Sequence, residues 1–562
     1  MKKSLILLSV VALMLLTACN KTVPTPDQLN CNPSPLTVVG GKISAEITGT
    51  FPEKKFAKNG ILEVTPVLKY GDKEVVGETM TYVGEKAKEN GTVVNYKNGG
   101  TYSQSFSCPY TKDMDRCVLC LRFKASAGKK VYDVPDLKVA DGVNSTATLA
   151  IAQDNELAVT PDKFQRIIQA MQEADIKFLI QQSNLRDSET KSQAMKDLQQ
   201  AIKDADQDEK KMISSLEVLG YASPDGGMNL NERLAEDRQK VAQKYLARQL
   251  KKNKVNADIE GEVTAEDWEG FKKLMENSNI QDKELVLRVL SMYSDPEERE
   301  AQIKNLSAVY KSIAEDVLPK LRRSRLVLTT DIIGRSDDEI AKLAKENPAE
   351  LSVEELLYAA TLTNKAGEKE AIYKKVTELY PSDLRGWNNL GIVMFEQGNV
   401  ESASRMYQKA LSIDSNNPDV NYNAGVAAMA KGDVKKAGEY LGKAAGTTGN
   451  LDAAMGTYYT MTGDYQKASS AYGKTATNNA AIQQILNEDY AGARKTLAAV
   501  AEPNATTHYL EAVVAARTNN RDGVYAGLRS AVAADASLKA KAAQDIEFAK
   551  YAEDETFLNI VK

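Results

Sequence analysis

The sequence predicts a multidomain chain: an N-terminal all-β sandwich, a central α/β domain and a C-terminal all-α helical repeat array. Three observations predict it. Residues 36–150 carry short alternating apolar runs with turn signals about every 8 to 12 residues. Residues 155–333 alternate strand-like and helix-like segments, and from residue 336 onward a set of small and aromatic residues recurs about every 34 positions. At 562 residues the chain is also too long for one hydrophobic core.

The first residues read as an export signal. Lys2 and Lys3 precede an apolar run, Leu5 to Leu16, interrupted only by Ser9. A bilayer span takes about 20 apolar residues, so this run has the length and flanks of a signal peptide instead. It ends in Leu16-Thr17-Ala18-Cys19, which resembles a lipobox. The resemblance implies removal of residues 1–18, diacylglycerol on the Cys19 thiol, and acylation of the new amino terminus. Several chains anchor stably because each buried CH₂ contributes about 0.8 kcal/mol. Asn20 follows the cysteine where Asp is associated with inner-membrane retention. The expected location is therefore the outer membrane, lipid-anchored, with the periplasmic face favoured. Residues 19–35, with Pro24, Pro26, Pro33 and Pro35, read as an extended tether.

Within the sandwich, residues 36–150, the runs Ile43–Thr48, Leu62–Tyr70 and Val131–Val134 alternate, and Gly71-Asp72, Asn90-Gly91 and Gly99-Gly100 supply turns. Cys31, Cys108, Cys117 and Cys120 make an even set, which in an exported chain favours disulfides with three possible connectivities. Cys117-Val118-Leu119-Cys120 also fits a redox dithiol or half a metal site. The surrounding residues read as a strand, however, and no second cysteine or histidine pair completes such a site.

In the central domain, residues 155–333, strands are expected at Ile176–Ile180, Leu216–Tyr221, near Val255–Val263 and at Arg325–Ile333. Helices are expected at Gln193–Ile202 and Asn229–Leu250, the second with Leu230, Leu234, Val241, Tyr245 and Leu246 on its apolar side. A charged helical insertion covers about residues 264–320, giving the order β-α-β-α-β-β. The stretch Gly220-Tyr-Ala-Ser-Pro-Asp-Gly226, with Asn231, Leu234, Arg238 and Tyr245-Leu246, resembles the OmpA-like domain, a periplasmic peptidoglycan-associating fold. The inserted segment, with Asp267-Trp268, Asp295–Arg299 and Pro319–Arg322, is more similar to a divergent branch of envelope lipoproteins and fimbria-associated proteins. The resemblance implies that Arg238 meets the carboxylate of a wall diaminopimelate and that an acid meets its ammonium. Ser223 stands at the acid's position here, with Asp225 two residues on, so Ser223, Asp225, Asn231 and Arg238 are the candidate peptidoglycan contacts. The alternative for Arg238 is a helix-surface or packing residue.

From residue 336 to 562 the pattern is helical. Trp387, Leu390, Gly391, Ala403, Tyr407 and Ala410 recur as Asn421, Ala424, Gly425, Ala437, Leu441 and Ala444, and Gly456, Ala468 and Tyr472 belong to a third copy. This resembles the tetratricopeptide repeat, whose W-x₂-L-G spacing it carries. The resemblance implies a concave groove on the first helix of each pair, holding a protein or peptide.

Composition narrows the chemistry. The only histidine is His508, which excludes most imidazole-dependent catalysis and most zinc or iron sites, so no metal and no cofactor is expected. Formal net charge is -5 with signs interspersed, and no basic stretch suggests nucleic acid. Gly473-Lys474-Thr475 lacks the first glycine and preceding strand of a phosphate loop. The expected function is a non-catalytic outer-membrane scaffold that binds partners through its repeats and supports an envelope or surface assembly. A peptidoglycan-binding wall anchor comes second, and a thiol-disulfide oxidoreductase using Cys117 and Cys120 third.

Overall fold

The computed structural model describes residues 22–562, so the signal segment and Cys19 lie outside the described residues. It contains two compact units. One combines the chain up to Asp162 with Thr363–Lys562; the other is Lys163–Leu362.

The strand-rich part of the first unit contains β1 (Leu29–Asn32), β2 (Leu36–Val39), β3 (Lys42–Phe51), β4 (Gly60–Tyr70), β5 (Lys73–Val76) and β6 (Met80–Gly84). It continues with β7 (Thr92–Val94), β8 (Gly100–Pro109), β9 (Cys117–Ala127), β10 (Lys130–Asp141) and β11 (Val143–Asn144). One sheet runs β1-β3-β2-β11 with β8 also on β3; the other runs β10-β9-β4-β6-β7 with β5 on β4. The alternation read from the sequence has its usual cause. In β8, Tyr102, Gln104, Phe106 and Cys108 turn inward while their neighbours face solvent. Ile43 and Ile47 of one sheet and Leu62, Val64 and Leu121 of the other share one core.

Two expectations need correction here. The segment read as tether is partly structural: Leu29–Asn32 pairs with Glu46–Gly49, which buries Cys31. The four cysteines are free, and strand geometry explains why two of the six possible pairings fail. Cys117 and Cys120 stand three apart on β9, so their side chains leave opposite faces of the strand. Cys31 and Cys108 flank β3 opposite Ile47 and Ile43, four residues or about 13 Å apart along the strand, far beyond disulfide reach.

The remainder of the first unit is helical. After Ala366–Leu379, helix pairs follow in register: Leu384–Glu396 with Val400–Ile413, Pro418–Ala430 with Val434–Leu441, and Leu451–Thr462 with Tyr465–Tyr472. Asn478–Leu486 pairs with Tyr490–Ala498, and Ala505–Arg517 with Arg521–Ala534. Asn399, Asp433, Asp464, Asp489 and Asn520 each cap the second helix of a pair with a side-chain oxygen. The small residues act as the repeat pattern requires. A Cβ on Gly391 would lie 2.6 Å from the Tyr407 ring, one on Gly425 2.8 Å from Leu441, and one on Gly456 2.7 Å from Tyr472. Leu390, Ala403, Tyr407 and Ala410 are buried in this contact, while Trp387 sits at its edge and donates from Nε1 to the Pro381 carbonyl, 2.9 Å away.

The second unit has a four-stranded sheet made of β12 (Ile167–Lys177), β13 (Lys211–Tyr221), β14 (Glu260–Thr264) and β15 (Arg323–Ile333), ordered β12-β15-β13-β14. Helices Gln193–Gln207 and Met228–Asn253 lie between its first three strands, and five helices between residues 268 and 321 separate β14 from β15. The first strand lies earlier than expected and ends at Lys177, because its outer half alternates weakly and carries Gln169, Gln172 and Glu173. The face of Met228–Asn253 also differs from expectation. Its buried stripe is Asn231, Ala235, Arg238, Ala242, Leu246 and Leu250, and Leu230 is 45% exposed. Gly220 permits this contact: a Cβ there would lie 2.2 Å from the Ala235 carbonyl oxygen.

Candidate functional site

The inner helices of the repeat array form a polar ladder on a 34-residue period. Asn389, Asn423 and Thr457 occupy equivalent positions on three successive first helices, with Asn479 on the fourth, and all are buried. Four buried polar side chains on one face predict a ligand that satisfies them, since each unpaired group costs about 1–3 kcal/mol.

That ligand is the chain itself. Residues 150–161, which leave the sandwich, run through the groove of the same unit in the direction opposite to the repeats. Asn479 accepts from the Ile151 N–H at 3.1 Å and donates to its carbonyl at 2.7 Å. Asn423 does the same with Ala158, at 2.8 Å both ways, and Asn389 with Thr160, at 3.1 and 2.9 Å. Asn388 adds a bond to the Ala158 carbonyl, Tyr422 one to Glu156, and Thr457 one to the Asn155 side chain. Each asparagine thus reads one residue's main-chain donor and acceptor, as a neighbouring strand would. Such reading is indifferent to side-chain identity beyond size, and Ala152 and Ala158 fit because they are small enough to be buried. Burial raises the Asp154 carboxyl on this strap to about 6, partly offset by a backbone N–H from Asn479.

The family described as TPR repeat matches residues 393–432. Several solved structures match part of this chain. PilF of Pseudomonas aeruginosa shares 18% identity over 39% of this chain and 100% of its own, with a TM-score of 0.28. A tetratricopeptide repeat protein from Parabacteroides merdae shares 13% over 40% and 89%, with a TM-score of 0.31. PilW, a type IV pilus biogenesis factor, shares 14% over 40% and 98%, with a TM-score of 0.28. No curated protein matches the chain.

In the second unit the predicted wall contacts come together, but with the chain's own groups. Arg238 is 1% exposed and donates to three carbonyls: Tyr221 at 2.9 Å, Gln182 at 3.1 Å and Leu179 at 3.4 Å. Its guanidinium also lies over the Phe178 ring, and burial lowers its pKa to about 10. Asp225 pairs with Arg322 at 2.9 Å and accepts from the Ser223 hydroxyl at 2.5 Å; Arg322 also reaches Ser223 at 3.2 Å. Asn231 donates to the Gly226 carbonyl at 2.8 Å. Arg322 thus occupies the cationic role beside Asp225 that the resemblance implies for a ligand ammonium. The sequence reading missed Arg322, although its place at the end of the insertion was visible.

The remaining candidates are quickly placed. Burial pushes the Cys117 thiol up to about 12 and raises Cys31, Cys108 and Cys120 as well, the opposite of an activated thiolate. His508 lies on Ala505–Arg517 with Nδ1 3.0 Å from Glu511. Among the described residues no group of three or more His, Cys, Asp or Glu side chains is arranged to hold a metal ion. No described helix is long and apolar enough to cross a membrane.

Proposed function

We propose that this chain is a non-catalytic scaffold lipoprotein of the outer membrane, anchored through Cys19, in which the tetratricopeptide array works first as an internal clamp. The observation that carries this is the ladder of Asn389, Asn423 and Asn479, each spending both amide atoms on the strap. The groove that such arrays offer to a partner is filled by residues 150–161, so the clamp rigidifies the first unit and leaves other surfaces to recruit envelope proteins. Support for an envelope or surface assembly follows from the anchor and from the length of the repeat array.

The wall-anchor reading meets an obstacle in the Arg322–Asp225 pair and in the three carbonyls that engage Arg238. The dithiol reading meets one in the divergent side chains of Cys117 and Cys120.

The test is membrane fractionation combined with cleavable crosslinking in cells, comparing the parent with Asn389→Ala/Asn423→Ala. The expected result is an outer-membrane protein that crosslinks to defined partners in the parent and has its strap cut by protease in the variant. Recovery with the inner membrane would overturn the location. An outer-membrane chain that captures no protein but sediments with purified peptidoglycan would overturn the scaffold in favour of the wall anchor.

A further inference from the structure

The sheet of the second unit ends in β12 and β14, and the outer edge of β12 is open. The register of β12 with β15 is unbroken from Ile167↔Ile333 to Lys177↔Arg323. Two bonds at its ends fix which residues face outward: the Gly334 N–H donates to the Arg166 carbonyl at 2.7 Å, and the Phe178 N–H donates to the Arg322 carbonyl at 2.7 Å. Even-numbered residues therefore bond β15, and odd-numbered residues point both backbone groups away from the sheet. At the far end this outer edge is closed, because the Lys177 N–H donates to Glu189 and its carbonyl accepts from Arg186. From Ile167 to Asp175 no described group takes its place.

The open stretch has two halves of different character. Ile167-Ile-Gln-Ala-Met-Gln172 has no charge, no proline and no glycine, and Ile167, Ile168 and Met171 are 52%, 54% and 65% exposed. Glu173 and Asp175 make the other half acidic. Natural edge strands are ordinarily blunted by charge, proline or a bulge, and Ile167–Gln172 has none of these.

We infer that Ile167–Gln172 pairs antiparallel with the same segment of a second copy of this chain, joining two four-stranded sheets into one. Self-complementarity selects this occupant and its register. With Gln169 on the two-fold axis, Ile167 lies opposite Met171 of the second copy on one face and Ile168 opposite Ala170 on the other, so apolar side chains meet on both faces. A shift of two residues along each strand sets Met171 on the axis and brings Ile167 opposite Asp175, burying a carboxylate against an isoleucine. The favoured register forms about six main-chain hydrogen bonds and leaves both acidic halves outside the paired core. The interface goes beyond the scaffold reading and does not depend on the repeats.

The test uses the chain from Thr22 to Lys562. Sedimentation equilibrium is expected to give a mass rising with concentration from one chain toward two. Gln169→Lys sets two ammonium groups directly opposite each other and should weaken association at least about tenfold without changing the melting temperature. Gln169→Cys supplies the positive arm. Directly opposed, hydrogen-bonded Cα atoms are about 5.5 Å apart, within disulfide range, so mild oxidation should trap a covalent dimer much faster than with Glu173→Cys. A monomer at about 100 μM, equal trapping at residues 169 and 173, or undiminished association in Gln169→Lys would each overturn the proposal.

Discussion

The repeat groove and the second unit bury polar groups in opposite ways. In the repeat groove the buried groups are neutral amides, each matched to one residue of an extended strap. In the sheet unit they are ions: Arg238 on three carbonyls, Arg322 on Asp225, and Arg323 on Asp267 at 2.7 Å with its guanidinium over Tyr221. Neutral pairs tolerate salt and pH and gain about 1 kcal/mol net each, whereas a buried ion is costly to leave unmatched. The comparison separates recognition by shape and main chain from recognition by charge, and it locates where each unit is vulnerable.

The largest effect expected is at Arg238. Arg238→Met keeps length and volume but strips donors from three carbonyls, and should cost the second unit about 4–5 kcal/mol in urea unfolding. Arg238→Lys should recover only part, since an ammonium cannot span three separated acceptors. An undestabilised Arg238→Met would show that the arginine is held for a ligand and not for the fold. Next is the ladder: Asn389→Ala with Asn423→Ala removes four main-chain strap bonds and the bond that the Thr160 hydroxyl donates to Asn389, and should cost about 2–4 kcal/mol, read as proteolysis within residues 150–161. Raising salt to about 0.5 M should leave the strap of the parent protected, because neutral bonds are little screened.

A smaller effect concerns Asp154, a half-buried carboxyl on the strap. Its folded pKa of about 6 exceeds the ordinary 3.8, so its contribution is fully present below about pH 4 and is lost as pH rises through 6. Asp154→Asn should therefore stabilise the first unit by about 1–2 kcal/mol at pH 7.5 and change nothing at pH 4, as measured by urea midpoints. The smallest is Tyr407, whose hydroxyl is buried without a partner. Tyr407→Phe should be neutral or stabilising by up to about 1 kcal/mol in thermal melts.

How much of this was legible depends on what each feature asks of the sequence. Gly391 recurs as Gly425 and Gly456 because a Cβ at each would lie 2.6–2.8 Å from the large side chain of the paired helix, so the repeat is written in residue size and could be read. The alternation in β8 was legible for the same reason: one face must be apolar. The strap was not, since residues 151–161 are recognised through their main chain and carry no pattern of their own. Its trace lay in the partner, as Asn389, Asn423 and Thr457 on one period. For Arg238 the packing alternative holds, although the apolar side expected from Leu230, Leu234, Val241, Tyr245 and Leu246 did not include it. The buried stripe instead follows Gly220, whose missing side chain draws the helix down on the Asn231–Arg238 face. The cysteines were counted as pairs, but a strand assigns side chains to faces before chemistry can join them.

The strap also has a consequence in time. Thr160 is made 229 residues before Asn389, and Ile151 is made 328 before Asn479. At about 5–20 residues per second, roughly 10–45 s of synthesis separate Thr160 from the amide that will hold it. During that interval residues 150–161 are an unprotected stretch in a half-made protein, and only a chain that reaches its last repeats withdraws them from attack. A truncated product therefore carries its own cleavage site, and completeness of the chain becomes readable to any protease nearby.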